Sequence, residues 1–344
     1  MSKIEWTEKT WNPIVGCSVV SPGCTNCYAM TMAARLERMG TERYRGLTKP
    51  SKAGAVWTGE TRLVEETLTE PLRRRKPTMW FVNSMSDLFH ESAPDAWIDR
   101  VFAVMALCPQ HTFQVLTKRS ARMRAYLSSD ETAGRLTRAL SHGIDGIGSL
   151  SIVSCHDGLS GFQLPNVWLG VSTEDQRRAD ERVPDLLATP AAVRFVSAEP
   201  LLGPIDFRNI PYPSPPEDEG RRGSALDGHE VAGLVGNCIA YIPALDWIIV
   251  GGESGPGARP MHPAWARSIR DQCARAGVPY FFKQWGAWSE DTNQDSPRGD
   301  YIGAHPGVEP IQCCDTVYMA PVGKKVAGRL LDGVEHNGMP EVRT

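Results

Sequence analysis

No apolar stretch of this sequence reaches the roughly 18 residues needed to span a bilayer, so a transmembrane helix is not expected and no membrane partner is sought. The first residues, Met1-Ser2-Lys3-Ile4-Glu5-Trp6, lack the apolar core of a signal peptide, and a cytoplasmic protein is the expectation. An excess of either charge is also missing. With 37 Lys and Arg against 40 Asp and Glu, the formal charge is −3, so there is no global basic field of the kind that coats DNA without regard to sequence. A local basic patch stays open, and nucleic acid is permitted rather than indicated. No internal repeat is present, and average hydrophobic and charged fractions exclude disorder, coiled coil and collagen.

What the chain does have is turn chemistry and cysteine. Its 32 Gly, 26 Pro and 10 Trp suit a loop-rich protein with many tight turns at strand ends. Nine cysteines is an odd number, and in a reducing compartment a clustered subset points to metal rather than to disulfides. Short apolar, β-branched or aromatic runs recur at Met79–Val82, Thr112–Leu116, Val167–Val171, Val193–Val196, Trp247–Val250 and Tyr280–Phe282, with a weaker one within Ile4–Val15. Each reads as a buried strand. Segments with helical spacing lie between them, at Asp95–Leu107, Ser120–Leu127, Asp175–Leu187 and Pro263–Ala276.

That alternation predicts an α/β protein with a parallel sheet covered by helices. About seven βα units are counted, and the expected fold is a partial or distorted TIM-like (βα)6–7 barrel over residues 1–288. Two loop insertions interrupt it, at about residues 130–165 and 207–243, and residues 289–344 read as an irregular C-terminal extension packed on the barrel.

In parallel α/β architectures the loops after the strands form the site. Here they are polar: Asn83-Ser84-Met85-Ser86-Asp87, Thr117-Lys118-Arg119, Ser172-Thr173-Glu174-Asp175, Ser197-Ala198-Glu199-Pro200, Gly251-Gly252-Glu253-Ser254 and Lys283-Gln284-Trp285. Helix capping accounts equally well for Ser86, Ser172 and Asp175. It explains Glu199, Glu253 and Lys283 poorly, because a charge beside an apolar strand end needs a partner.

After the first strand, Cys17, Cys24 and Cys27 form a C-x6-C-x2-C cluster, with a turn expected at Ser21-Pro22-Gly23. Three thiolates leave one position open on a [4Fe–4S] cube, whereas structural zinc is normally closed by a fourth ligand. His90 and the Cys155-His156 pair are candidates for that ligand, so zinc stays the alternative. Cys108, Cys238 and Cys273 read as core fillers, and the adjacent Cys313-Cys314 as incidental.

These residues resemble a known family. Trp11-Asn12-Pro13, Gly16-Cys17, Ser21-Pro22-Gly23-Cys24, Asn26-Cys27-Tyr28-Ala29, the run Asn83 to His90, Ser197 to Gly203, Gly251 to Gly255, Phe282 to Gly286 and Gly323 to Gly333 look like the phage-associated three-Cys-motif proteins of unknown function. The resemblance covers nearly the whole chain outside the two insertions. That family is in turn similar to the radical S-adenosylmethionine (SAM) enzymes, which carry a [4Fe–4S] cluster on three cysteines after the first strand of a partial βα barrel. The spacing departs from the usual C-x3-C-x2-C, Asn26 stands where an aromatic precedes the last cysteine, and Gly251-Gly252-Glu253 follows the sixth strand rather than the second.

The resemblance implies that Cys17, Cys24 and Cys27 ligate three irons, and that the amino and carboxylate groups of SAM chelate the fourth. A 5′-deoxyadenosyl radical would then abstract hydrogen from the substrate. Ser84, Asp87, Ser172 and Glu174 are the expected contacts to SAM, with Tyr28 or Trp285 stacked on its adenine. Glu199, Glu253, Lys283 and Gln284 would orient a small-molecule or nucleotide substrate or pass protons. An outside electron donor is implied, a partner protein stays open, and the setting would be a bacterial host or a phage genome. The rival readings are a zinc protein, non-catalytic or hydrolytic, and a nucleic-acid-processing protein whose phosphate contacts are Arg73-Arg74-Arg75-Lys76, Lys118-Arg119 and Lys324-Lys325.

Overall fold

The computed structural model describes residues 4–52, 54–143, 161–211, 222–232, 239–290, 300–301 and 317–341. Its centre is a seven-stranded sheet of β1 (Lys9–Trp11), β2 (Met79–Val82), β3 (Thr112–Thr117), β4 (Val167–Ser172), β5 (Val193–Ala198), β6 (Trp247–Gly251) and β7 (Tyr280–Gln284). The strands pair in chain order and every neighbouring pair is parallel. Helices α1 (Tyr28–Arg38), α2 (Asp95–Ala106), α3 (Ser120–Leu127), α4 (Thr132–Gly143), α5 (Gln176–Leu187) and α6 (Pro263–Ala276) occupy the connections. A right-handed crossover repeated without reversal of strand order places α2 to α6 on one face, where their buried side chains share one core, while α1 packs in a separate cluster with Tyr44, Leu47 and Trp57. The sheet therefore curls into a half-barrel with a helix-covered outside and a separate inside.

The two faces follow from the period of two along each strand. Val196, Ala198, Ile248, Val250, Tyr280 and Phe282 join the large cluster beneath the helices. Phe195, Trp247, Ile249 and Phe281 point the other way and form an aromatic inner core with Trp6 and Trp168. Trp6, from the segment before β1, stands edge-on to Phe81 at 4.8 Å and to Trp247 at 6.1 Å. Further along the same inner rows the residues turn polar: Ser172 after Trp168, Ser197 and Glu199 after Phe195, Lys283 after Phe281. The inside is thus plugged at the N-terminal ends of the strands and polar at the C-terminal ends. Gly170 permits the plug, because a Cβ there would lie 2.5 Å from the Phe195 ring.

The expected runs are strands and the expected helical segments are helices, each within a few residues. The insertions differ from plain loops. Residues 132–143 form α4, which packs on α2 through buried Leu136 and the Arg135–Asp99 ion pair at 3.4 Å. Ile210–Pro211 pairs with Arg222–Gly223, and His229–Ala232 pairs with Ile239–Ile242. Among the described residues, no helix lies between β5 and β6. The extension is also less irregular than its composition predicts: Ser289–Glu290, Tyr318–Ala320 and Asp300–Tyr301 form a small antiparallel sheet. Among the described residues, no helix is long and apolar enough to cross a membrane.

Candidate functional site

A cavity of about 290 Å³ opens at the C-terminal ends of the strands. Cys17, Cys24 and Cys27 all line it, together with Tyr28, Ser84, Asp87, Ser172, Glu199, Glu253, Lys283 and Gln284. Parallel strands in consecutive order explain the convergence, since each successive βα loop is delivered to the same end.

The cysteine loop runs from β1 to α1. The turn expected at Ser21-Pro22-Gly23 is present: the Cys24 N–H donates to the Ser21 carbonyl at 2.9 Å and the Thr25 N–H to that of Pro22 at 3.2 Å. Cys27 then caps α1, where the N–H groups of Ala29 and Met30 favour its thiolate. Burial still raises Cys27 above the ordinary thiol value, and burial, with Asp87 adding to it, pushes Cys17 up to about 12. Arg119 opposes that shift, its Nη1 reaching Cys17 Sγ at 3.8 Å.

Three strand ends grip this loop. From β3, Arg119 donates Nη2 to Ser18 Oγ at 2.7 Å, Nη1 to Asp87 Oδ2 at 3.0 Å, and Nε to both oxygens of Glu91 at 2.8 and 2.9 Å. From β4, Glu174 accepts from the Gly23 N–H at 3.2 Å and from Arg182 Nη1 at 3.0 Å. From β6, Glu253 accepts from Asn26 Nδ2 at 2.9 Å and from the Arg259 side chain at 2.6 and 2.9 Å, while Arg259 also donates to the Pro22 carbonyl at 2.9 Å. Burial alone would raise both carboxyls. Lys118 and Arg182 hold Glu174 below its ordinary value, and Arg259 and Asn26 do the same for Glu253.

These contacts sort the expected site residues. Glu199 and Lys283 form an ion pair on the wall of the cavity, Oε1 to Nζ at 3.0 Å, with the Ser197 hydroxyl donating to Glu199 Oε2 at 3.1 Å. Burial would lower Lys283, but the Glu199 carboxylate holds it above its ordinary value and therefore charged. Gly251 lacks a Cβ where one would lie 2.4 Å from Glu199 Oε1, so the carboxylate can lean across β6. Tyr28 is 54% exposed and anchors its hydroxyl on the Ser84 carbonyl at 3.0 Å. Asp87 lines the cavity, but its oxygens already accept from Thr117, Lys118, Phe89 and Arg119. Glu174 stands apart from the other expected residues: it is fully buried and sits behind the cysteine loop rather than on the cavity. Trp285 also lies off the cavity, packed on Phe282 with its indole N–H on the Leu330 carbonyl at 2.8 Å.

The donor set bears on which group it could hold. Three thiols share one cavity, and a cationic guanidinium and helix N–H groups lie beside them; burial keeps two of those thiols protonated unless positive charge arrives. That chemistry fits a thiolate-bound metal group. Among the described residues, no three Cys, His, Asp or Glu side chains are drawn together tightly enough to hold a lone metal ion. His90 does not line the cavity, and both ring nitrogens are engaged, Nε2 with Ser18 at 2.9 Å and Nδ1 with Ser92 at 2.9 Å. Cys155-His156, Cys238 and Cys313-Cys314 lie outside the described residues, while Cys108 and Cys273 are fully buried.

Asn26 and Arg259 were not foreseen, and Arg119 was read only as a phosphate contact; the one local signal was its place directly after a strand end. The basic run Arg73–Lys76 precedes β2 and so lies at the opposite end of the sheet from the cavity. No curated protein and no solved structure matches the chain. A family model described as a protein of unknown function, DUF5131, matches residues 1–340, and the chain belongs to that family.

Proposed function

We propose that the chain is a radical-SAM-like iron–sulfur enzyme of the phage-associated three-Cys-motif type, built on a TIM-like half-barrel. One observation carries this reading: the thiols of the C-x6-C-x2-C loop share a single cavity with the Glu199–Lys283 pair at the C-terminal mouth of a parallel, consecutively ordered sheet. Cys17, Cys24 and Cys27 would hold three irons of a [4Fe–4S] cluster. When bound, that group supplies the electron for reductive cleavage of SAM and so starts radical chemistry on the substrate.

The chain's own residues do the rest. Arg119, Glu174 and Glu253 fix the cysteine loop against three strands, so the thiols are presented to the cavity in one arrangement. The exposed face of Tyr28 and the hydroxyls of Ser84 and Ser172 offer stacking and hydrogen bonds to a nucleoside-like ligand. Lys283 Nζ holds a proton against Glu199 Oε1 and can orient an anionic substrate group or return that proton to it. Gln284 adds an uncharged amide beside them.

Anaerobic reconstitution with iron and sulfide, followed by iron counting and a SAM-cleavage assay under a strong reductant, tests the proposal. About four irons per chain and reductive cleavage are expected, and Cys24→Ala should abolish both. Zinc without iron in the purified protein, or a Cys24→Ala variant with full iron and cleavage, overturns it.

A further inference from the structure

The chain is close to neutral, but its charge is not evenly spread. Residues 28–58 hold six Lys and Arg against two Glu. They form α1 and, after one short turn, an antiparallel hairpin of Thr48–Ser51 with Gly54–Trp57. The two pack together: Ala29, Met30 and Ala33 of α1 share a core with Trp57, and Leu36 and Val56 lie against it. Both reach the cavity, which is lined by Tyr28 and Ala29 from the start of α1 and by Trp57 from the end of the hairpin.

Away from that core α1 is open. Tyr28, Met32, Arg35 and Met39 are exposed at intervals of four, three and four, so they form one stripe that starts at the cavity, with exposed Arg38 beside it. On the hairpin, Lys49 and Lys52 are exposed, and Lys49 stands opposite Val56, so it leaves the face that packs on the shared core. Neither glutamate answers these cations. Glu37 accepts from the Gly46 N–H at 2.8 Å and the Thr48 hydroxyl at 3.5 Å, and Glu42 pairs with Arg45 at 3.1 Å. Among the described residues, Arg35, Arg38, Lys49 and Lys52 have no carboxylate partner; Arg38 donates only to the Ala34 carbonyl of its own helix. The other cations at the mouth are matched, Arg119 by Asp87 and Glu91, Arg259 by Glu253 and Lys283 by Glu199.

Four unmatched cations in a chain of net charge −3 concentrate positive potential at the cavity rim. A protein partner asks for an apolar centre and disfavours lysine, and here Arg35 parts Met32 from Met39. A phosphodiester backbone asks for what is present: separate cations spread along one surface, with no free carboxylate among them. A cavity of about 290 Å³ admits one unit of a strand and not a duplex.

From this we infer that α1 and the adjoining hairpin bind single-stranded DNA or RNA by its phosphates, whatever its base order, and bring the strand to the cavity rim as substrate. Arg35, Arg38, Lys49 and Lys52 are the phosphate contacts. The inference rests on the proposed radical chemistry only in calling the strand a substrate; binding itself needs no cluster.

Fluorescence anisotropy of labelled oligo-dT and oligo-U, each of about 15 nucleotides, with the purified full chain tests it, the two arms separating DNA from RNA. At least one should bind, with an affinity that falls about fiftyfold between about 50 and 200 mM salt, as four phosphate contacts require. Arg35→Glu with Arg38→Glu, and Lys49→Glu with Lys52→Glu, should each weaken binding by about tenfold or more at the lower salt and flatten the salt dependence. Arg75→Glu with Lys76→Glu makes the same charge change at the opposite end of the sheet and should weaken it by about twofold at most. Oligo-U carrying 4-thiouridine should photo-crosslink to peptides that contain Tyr28 or Trp57. No binding of either strand, equal losses in the Arg75 and Lys76 control, or crosslinks confined to other peptides overturns the inference. So does poly-glutamate that binds as tightly as either strand, which would mark a surface for an acidic protein. Failure here is separable from failure of the enzymatic reading, because iron content and SAM cleavage are measured without an oligonucleotide.

Discussion

Arg119 shows how much one side chain is asked to do at this site. Its side chain is 5% exposed, and its guanidinium spans the carboxylates of Asp87 and Glu91, the Ser18 hydroxyl and the Cys17 sulfur. A planar fork with five N–H groups can serve these partners at once; an ammonium on a flexible stem cannot. Arg119→Lys keeps the charge and is expected to cost about 1–3 kcal/mol, because it strands buried acceptors. Arg124→Lys makes the contrast: the Arg124–Asp185 pair is 3.5 Å long with Arg124 48% exposed, and exposed pairs are worth at most about 1 kcal/mol. Urea unfolding of both variants at neutral pH checks the difference. Equal losses would mean that Arg119 is only another surface charge.

At the scale of the element, the cysteine loop is kept in place by carboxylates rather than by a core of its own. Val19 and Val20 are exposed, whereas Gly23, Pro22 and Asn26 are tied to Glu174, Arg259 and Glu253. Both carboxyls are depressed below the ordinary 4.5 by their partners. The stability they contribute is therefore fully present above that value and is lost as pH falls through their lower folded values. Glu174→Gln should unfold at lower urea at pH 7, by roughly 3–5 kcal/mol since it unpairs buried Arg182. The same variant should lose less than the parent does between pH 5 and 3, and a parallel pH profile would exclude Glu174 as the titrating group. The strands were legible in the sequence because a sheet buried on both faces must be apolar at nearly every position, with Gln114 and Arg194 among the buried polar exceptions, and the cavity's location followed from parallel order. The tie between Asn26 and Glu253 was not, because 227 residues separate them and neither residue type announces a loop clamp. Glu174 was misplaced for a related reason: the chain leaves the sheet after Ser172, and Arg182 of α5 then draws the carboxylate behind the loop, a turn that strand periodicity cannot foretell. Helix α4 escaped notice because its described apolar stripe is little more than Ala133 and Leu136 on a Gly- and Ser-containing segment.

Over the whole molecule, a half-barrel must protect the edge where its sheet stops. The C-terminal extension does so at β7. The Phe282 N–H donates to the His336 carbonyl at 2.9 Å and the Gly338 N–H to that of Tyr280 at 3.0 Å, while the Trp247 indole N–H reaches the Gly338 carbonyl at 2.7 Å. Met339 then packs on the inner aromatic core. An uncovered parallel edge is a template for association, so this strap protects solubility as well as stability. Gly338 is its tightest point, since a Cβ there would lie 2.7 Å from both Tyr280 N and O. Backbone cannot yield as a flexible side chain does, and Gly338→Ala is expected to cost about 1–3 kcal/mol. Gly134→Ala is the matched control, as its Cβ would meet only the Arg138 side chain at 3.8 Å within α4, and a helical Gly→Ala gains about 0.5–1 kcal/mol. Thermal unfolding with light scattering separates the two. Gly338→Ala should melt earlier and scatter more with rising concentration, and Gly134→Ala should melt later without scattering. If Gly338→Ala melts with the parent and stays monodisperse, the strap is not what closes the sheet.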